Sequence, residues 1–421
     1  MYPQKDIRYP VRDRSSLFEY HFSMTRGLIL ASSAAFIVLL GLGSVFIAQT
    51  YETPSDPNIA VTVLKTCAEH RLVACARPEI RRLLTNMSGA EILDLFSEKF
   101  STVKCHTLGH IVGQELYLAK KNVEHALAVC NNACASSCVH GVIGEAFLQE
   151  AGITEKEGLD TLHMSPEDIR ALGIRLCASV STCHGVGHAL FMAYGEFPPA
   201  LAACSEIASG ARRTFCYRGV FMQYADMVSE NSVRDAEYIS LPARGSLQSL
   251  CAQTSSDELR ACMRYLPRIY AELTDRSQAG LEKFCESYSD AERRIGCFLG
   301  IGVARADMVF KDPAATHHVC EDLEMTGDRA SCTLGMISSA AEYKRIPELL
   351  SYCQAVGELF VRHICYHGVF QSLSFMMAER AETEVMSEHK KLCEGHGSEC
   401  LNGLYLHNAD PWETIVGTSK K

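Results

Sequence analysis

Apolar residues recur with a helical period along most of the chain. In the segments 335–346 and 368–382 they fall at positions i, i+3, i+4 and i+7, which places them on one side of a helix. Ser88 three residues before Glu91, and Ser165 just before a proline, have the pattern of helix starts, where a serine side chain accepts a backbone hydrogen bond. No stretch alternates apolar and polar residues with a period of two. The pattern therefore predicts an all-α fold.

One apolar segment, 27–50, has 24 residues without a charged side chain. A helix of this length at about 1.5 Å per residue spans a hydrocarbon layer of about 30 Å. The basic residues before it are Lys5, Arg8, Arg12, Arg14 and Arg26, and the acidic residues after it are Glu52 and Asp56. This charge difference predicts a cytoplasmic N-terminus and a single-pass anchor in the cell membrane. The alternative, a cleaved signal peptide, normally has a shorter apolar region and a small-x-small cleavage site.

These signals divide the chain into five expected regions. They are a cytoplasmic tail (1–26), a transmembrane anchor (27–50), a region rich in histidine and cysteine (51–199), disulfide-stapled helical repeats (200–408) and a polar C-terminal tail (409–421).

Cysteine usage and net charge narrow the class of protein. The chain has 20 cysteines, which would form disulfides in an oxidising compartment. We therefore expect the region after the anchor to be periplasmic or extracellular. The formal net charge of −10 argues against a nucleic-acid partner, which requires a basic surface.

Four segments follow one template, Cys-x8-Arg-x2-Cys-x2-Gly. They are Cys204-Arg213-Cys216-Gly219, Cys285-Arg294-Cys297-Gly300, Cys320-Arg329-Cys332-Gly335 and Cys353-Arg362-Cys365-Gly368. Successive second cysteines from Cys105 onward lie about 34 residues apart, with two longer steps, which is the length of a helix–turn–helix repeat. We therefore predict a right-handed, solenoid-like array of helical hairpins, each closed by one disulfide.

Each element of the template has a physical reason. A disulfide across the connection closes a ring of about 13 residues and contributes about 3 kcal/mol. The glycine lies about one turn into the second helix, where a missing side chain lets helices approach closely. The arginine can hydrogen-bond the carbonyl end of the first helix, or it can remain a solvated charge.

The template and its looser copies predict local cysteine pairs. These are Cys177–Cys183, Cys204–Cys216, Cys251–Cys262, Cys285–Cys297, Cys320–Cys332, Cys353–Cys365 and Cys393–Cys400. Cys67 with Cys75 is a candidate disulfide whose pairing the template does not fix. Four more cysteines leave the pairing open, because Cys105 fits Cys134 or Cys130, and Cys138 fits Cys130 or Cys134.

A series of hairpins, each pinned by a cysteine pair, resembles the disulfide-bridged Sel1-like repeat proteins in architecture. The glycine- and alanine-rich signature of those repeats is not found in this chain, so the resemblance carries over no functional residue.

Histidines distinguish the first part of the array from the rest. They are His106 and His110 after Cys105, His140 after Cys138, and His184 and His188 after Cys183. Histidines at i and i+4 leave one face of a helix, about 40° apart, and can share a metal ion. Because consecutive second helices are neighbours in such an array, we expect these five side chains to converge. Glu115 and Glu145 are candidate additional ligands.

Clustered imidazoles suit zinc, copper or iron. Zinc with an open position would activate water for hydrolysis, whereas copper or iron would indicate electron transfer or oxidation. Two histidines can also bind haem from both sides, although the covalent Cys-x2-Cys-His motif is absent. A repeat can equally duplicate a histidine that only packs on its neighbour.

The sequence thus favours a membrane-anchored ectodomain that binds a transition metal, with a hydrolytic or redox role left open and no catalytic residue identified. The alternatives are a scaffold that binds a protein or peptide on its concave face, and a haem or redox carrier.

Overall fold

The computed structural model describes residues 56–67, 72–131, 133–152, 164–231, 244–252, 254, 256–341, 345–376, 382–405 and 410–419, all within one compact unit, Pro54–Lys421. The predicted tail 1–26 and anchor 27–50 lie outside these residues. Within these residues, no helix is long and apolar enough to cross a bilayer.

The predicted all-α fold is confirmed, since helices and turns account for the described residues and none of these residues is in a strand. The α-helices are α1 Pro57–Thr66, α2 Leu72–Leu84, α3 Gly89–Lys99, α4 Thr102–Lys120, α5 Val123–Leu127, α6 Ser137–Glu150, α7 Pro166–Leu176, α8 Val180–Tyr194, α9 Phe197–Ile207, α10 Gly210–Asn231, α11 Ser256–Leu273, α12 Gln278–Glu286, α13 Ala291–Ala304, α14 Met308–Lys311, α15 Pro313–Glu321, α16 Thr326–Ala340, α17 Ile346–Ala355, α18 Leu359–Met376, α19 Glu382–Leu392, α20 Gly397–Tyr405 and α21 Pro411–Ser419.

Serine caps start the helices that the sequence indicates. Ser88 and Glu91 form a complete capping box at α3, and the Ser165 side chain accepts a hydrogen bond from the Asp168 N–H at the start of α7. Two of the histidine-bearing helices, α4 and α8, begin three residues before the cysteines from which the sequence predicts them to start. Ser101 caps α4 and Ser179 caps α8, because a side-chain oxygen there reaches the free N–H groups of the first turn.

One series of helices packs in chain order. This series, which we call the B helices, consists of α4, α6, α8, α10, α11, α13, α16, α18 and α20, and each contacts the next. The helices α9, α12, α15, α17 and α19 each pack on the B helix that follows them. Apolar side chains form two cores that meet at α6, where Val142 belongs to one core and Phe147 to the other.

Glycines allow the B helices to approach closely, as the template predicts. A Cβ atom built on Gly141 of α6 would overlap the His110 carbonyl oxygen of α4, and one built on Gly219 of α10 would overlap the His184 carbonyl oxygen of α8. Gly335 of α16 meets the carbonyl oxygen of α13 in the same way. The missing side chain therefore sets the distance between neighbouring helices.

The structure pairs all 20 cysteines. Each predicted local pair is joined as expected. Cys67 pairs with its candidate partner Cys75. The four other open cysteines pair as Cys105–Cys134 and Cys130–Cys138. The first of these spans 29 residues and joins the start of α4 to the segment before α6, so this bridge connects two units rather than closing one hairpin.

The template arginines have two kinds of partner. Arg329 and Arg362 donate hydrogen bonds to carbonyl oxygens that follow the preceding short helix, as one of the two interpretations predicts. Arg213 and Arg294 form ion pairs with Asp257 and Asp328 on the next B helix, and Arg329 also forms one with Glu358 just before α18.

The C-terminal segment, expected to be a polar tail, contains the packed helix α21. Trp412, Ile415 and Val416 are buried at helical spacing, and α21 contacts α13, α16 and α18. Arg260 of α11 adds ion pairs with Asp410 and Glu413 and lies over the Trp412 ring, so both apolar and charged contacts hold this short helix on the array.

Candidate metal centre

Five histidines from three consecutive B helices lie in mutual contact. His106 and His110 come from α4, His140 comes from α6, and His184 and His188 come from α8. Ring centroids are 4.7 Å apart for His106 and His110, 4.6 Å for His140 and His184, and 5.0 Å for His110 and His188. The convergence predicted from the spacing is thus present in the structure.

Close helix packing explains why these rings touch. Gly141 lies against the His110 carbonyl, and a Cβ on Gly185 of α8 would lie 3.1 Å from the His140 Cα atom. With α4, α6 and α8 this close, side chains from the common face cannot avoid one another. The template glycine therefore positions the histidines.

The rings form two groups that could each hold a metal ion. One consists of His106, His110 and His140, the other consists of His140, His184 and His188, and in each group the candidate ligand atoms lie within 4.8 Å of one another. The Nε2 atoms of His106 and His110 are 3.0 Å apart. Two nitrogens on one tetrahedral zinc ion, at about 2.1 Å from the metal, would be about 3.4 Å apart. The spacing is therefore close to that of ligands to a common ion.

Hydrogen bonds to the outer nitrogens orient two of the rings. The His106 Nδ1 atom lies 3.1 Å from the Cys134 carbonyl oxygen, and the His188 Nδ1 atom lies 2.9 Å from Gln223 Oε1. Since both oxygens are acceptors, each Nδ1 carries the proton and each Nε2 has a lone pair. The lone pair of His106 faces His110 Nε2, whereas that of His188 has no partner among the described residues. Metal-binding histidines are commonly fixed in this way.

Two buried nitrogens in the cluster have no hydrogen-bond partner among the described residues. They are His140 Nδ1 and His188 Nε2. Leaving a buried polar atom unpaired costs about 1–3 kcal/mol, so such atoms call for an explanation. A bound cation would supply the missing partner.

Burial keeps the five imidazoles neutral. It lowers the pKa of His106 to about 4, against weaker opposing effects from Asp226 and the Cys134 carbonyl. Burial, with repulsion between neighbouring rings, also holds the pKa of His110, His140 and His184 well below the ordinary value. The pKa of His188 is lowered by burial and partly restored by Asp226 and Gln223. Neutral imidazole is the form that binds a metal.

The Cys134 carbonyl that orients His106 belongs to an unusual backbone segment. Cys134, Ala135 and Ser136 all have positive φ angles, of 53°, 57° and 57°. Each non-glycine residue in this conformation costs about 1–2 kcal/mol. The Cys105–Cys134 disulfide, next to His106, anchors this segment against α4.

The candidate carboxylates lie outside both histidine groups. Glu115 is buried in a bidentate ion pair with Arg81, 2.5 Å and 3.0 Å at its two oxygens, because its side chain faces α2. Glu145 accepts a hydrogen bond from Gln149. Their expected role as additional ligands therefore finds no support in the geometry.

Sequence reasoning missed the contribution of α10 to this site. Met222 Sδ lies 3.3 Å from His184 Nε2, Gln223 orients His188, and Asp226 forms an ion pair with Arg268 of α11 at 2.7 Å. A signal was present, since Met222, Gln223 and Asp226 follow the template Gly219 at helical spacing and so share its face.

Comparison of the chain with protein-family models, with curated proteins and with solved structures finds no match. The fold and site therefore define the class: a disulfide-rich helical protein with histidine groups that could hold a metal ion.

Proposed function

We propose that this protein binds a transition metal in an oxidising, extracytoplasmic compartment through His106, His110, His140, His184 and His188. The observation that carries the proposal is the buried contact among five neutral imidazoles, in which His140 Nδ1 and His188 Nε2 have no hydrogen-bond partner among the described residues. Zinc, copper and iron are the metals that such donors suit.

A bare ion fits this cluster better than haem does. Two axial histidines need a gap for the porphyrin between their rings, whereas these rings meet at centroid distances of 4.6–5.0 Å. A catalytic role, hydrolytic or redox, would require in addition an open coordination position for a substrate.

The proposal includes the wider setting inferred from the sequence. Segment 27–50 would be a single-pass anchor with the N-terminus in the cytoplasm, and the B helices would continue as a right-handed solenoid with a period of about 34 residues. Release of the intact chain from membranes by alkaline carbonate would contradict the anchor.

The test is metal analysis of the full-length protein, purified in detergent with its disulfides intact, stripped with a chelator and reloaded separately with zinc, copper and iron salts. We expect stoichiometric uptake of at least one metal. His140→Ala should abolish most of it, because His140 belongs to both groups.

His318→Ala is the matched control, because this exposed histidine of α15 lies far along the chain and pairs only weakly with Asp322 at 3.4 Å. Its metal content should equal that of the parent. A parent protein with no stoichiometric metal, and a circular dichroism spectrum typical of helices, would overturn the proposal.

A further inference from the structure

A sulfur atom lies beside one of the two histidine groups. Met222 of α10 places Sδ 3.3 Å from His184 Nε2, and the Tyr265 hydroxyl of α11 lies 3.6 Å from the same sulfur. In the other group, the recorded polar neighbours are a carbonyl oxygen and an imidazole nitrogen: His106 Nδ1 lies 3.1 Å from the Cys134 carbonyl oxygen, and His106 Nε2 lies 3.0 Å from His110 Nε2. The two groups therefore differ in chemistry.

We propose that His140, His184, His188 and Met222 form a copper(I) site. This inference rests on the proposed metal binding and names the metal for one of its two groups.

The geometry matches ligands of a common ion. A nitrogen at about 2.0 Å and a sulfur at about 2.3 Å from a tetrahedral metal are about 3.5 Å apart. The observed 3.3 Å between His184 Nε2 and Met222 Sδ is close to that value.

The sulfur atoms that are available as ligands favour copper as the bound metal. All cysteines are in disulfides, so no thiolate is left to bind a metal. A thioether then provides the soft ligand in the cluster. Thioethers select copper(I) and bind zinc poorly, whereas imidazole accepts either metal. A methionine in contact with His184, which belongs to one of the two histidine groups, therefore distinguishes copper(I) from zinc.

Charge favours a monovalent ion at the same position. The ligands are neutral, and the nearest carboxylate, Asp226, is already paired with Arg268 at 2.7 Å. Arg218 adds further positive charge near His184. The free-energy cost of desolvating an ion rises with the square of its charge, so burying copper(I) costs about a quarter as much as burying zinc(II).

The unpartnered His188 Nε2 provides independent support. His188 is 3% exposed, and Gln223 fixes its proton on Nδ1, so the lone pair of Nε2 points into the cluster. This nitrogen is a preorganised ligand that no group of the described chain satisfies.

The test compares copper(I) and zinc binding to the full-length protein with Met222→Leu, which keeps an apolar side chain but removes the sulfur. Copper(I) is delivered under anaerobic conditions against a chromogenic chelator, and zinc is titrated in parallel. We expect Met222→Leu to weaken copper(I) binding about tenfold or more and to leave zinc binding unchanged. The X-ray absorption spectrum of the copper-loaded parent should contain a sulfur shell that the variant lacks.

Met227→Leu is the matched control, because this methionine lies five residues further along α10 and packs against the apolar core. It should retain the parental copper(I) affinity, and thermal unfolding should show both variants folded. The inference is overturned if Met222→Leu keeps the parental copper(I) affinity, or if the parent binds zinc but no copper(I). That second result leaves the proposed metal binding intact, whereas a parent that binds neither metal overturns both.

Discussion

The first and second halves of the array share a backbone design but differ in the side chains that it presents. In both halves, paired glycines bring neighbouring B helices into backbone contact: Gly113 and Gly141 between α4 and α6, Gly187 and Gly219 between α8 and α10, and Gly302 and Gly335 between α13 and α16.

The side chains on the contacting faces differ between the halves. The residue after the second cysteine is His106 in α4 and His184 in α8, but Phe298 in α13 and Thr333 in α16, both buried. The close contact of α13 and α16 therefore produces ordinary core, whereas that of α4, α6 and α8 produces a cluster of imidazoles. The glycines determine how near the helices lie, and the side chains on the contacting faces determine whether a cluster of possible metal ligands results.

The largest effects are expected from substitutions at the glycines that contact the neighbouring B helix. Gly141→Ala and Gly335→Ala each introduce a Cβ that overlaps a backbone oxygen, so we expect each to lower the free energy of unfolding by about 3 kcal/mol. Only Gly141→Ala should also weaken metal binding, because it separates α6 from α4. Chemical denaturation and metal titration measure the two effects.

Gly357→Ala serves as the control, since a Cβ there has no atom within 4 Å. Parental metal affinity in a destabilised Gly141→Ala protein would show that close packing does not position the rings.

The disulfides give the next largest effect. Removing Cys320–Cys332, with a separation of 12 residues, should cost about 3 kcal/mol, and removing Cys105–Cys134, with a separation of 29, about 3–4 kcal/mol. We expect the second change alone to reduce metal affinity, because the Cys134 carbonyl orients His106. Double alanine variants of each cysteine pair, compared by chemical unfolding and by metal titration, test this prediction. Equal metal affinity in the two variants would contradict a role of the Cys105–Cys134 bridge in metal binding.

The smallest effect concerns a single hydrogen bond. Gln223→Leu removes the acceptor that fixes the His188 tautomer, and loss of such a partner weakens metal binding about 10–100-fold. The counterpart in the second half is Ser331, whose hydroxyl donates to the Ile295 carbonyl across the α13–α16 contact at 2.6 Å. Ser331→Ala should lower stability by about 1 kcal/mol and leave metal binding unchanged. A Gln223→Leu protein that binds metal like the parent would show that the hydrogen bond from His188 to Gln223 does not support metal binding.

Local patterns in the sequence predicted much of the fold and the core of the site. Serine caps, glycines at fixed offsets and cysteines 12 residues apart act within one hairpin, so spacing alone identifies them. The convergence of His106, His140 and His184 required only that successive B helices be neighbours.

Features that depend on the distance between units were not predictable. Cys130 and Cys134 both fit Cys105 by spacing, and the choice of Cys134 is seen only in the structure, where Cys134 to Ser136 have positive φ angles. The 3.3 Å distance from Met222 Sδ to His184 Nε2 depends on how closely α10 lies against α8 at Gly219, which is a property of tertiary packing. The burial of α21 has the same origin.

The bridge beside His106 has a consequence for biogenesis. While the chain is reduced, Cys105 and Cys134 are thiols that compete for the same metals, and the left-handed turn that presents the Cys134 carbonyl has no covalent anchor. Oxidation removes the competing thiols and secures the carbonyl in one event. Maturation should therefore proceed in a fixed order, with export first, disulfide formation second and metal loading last.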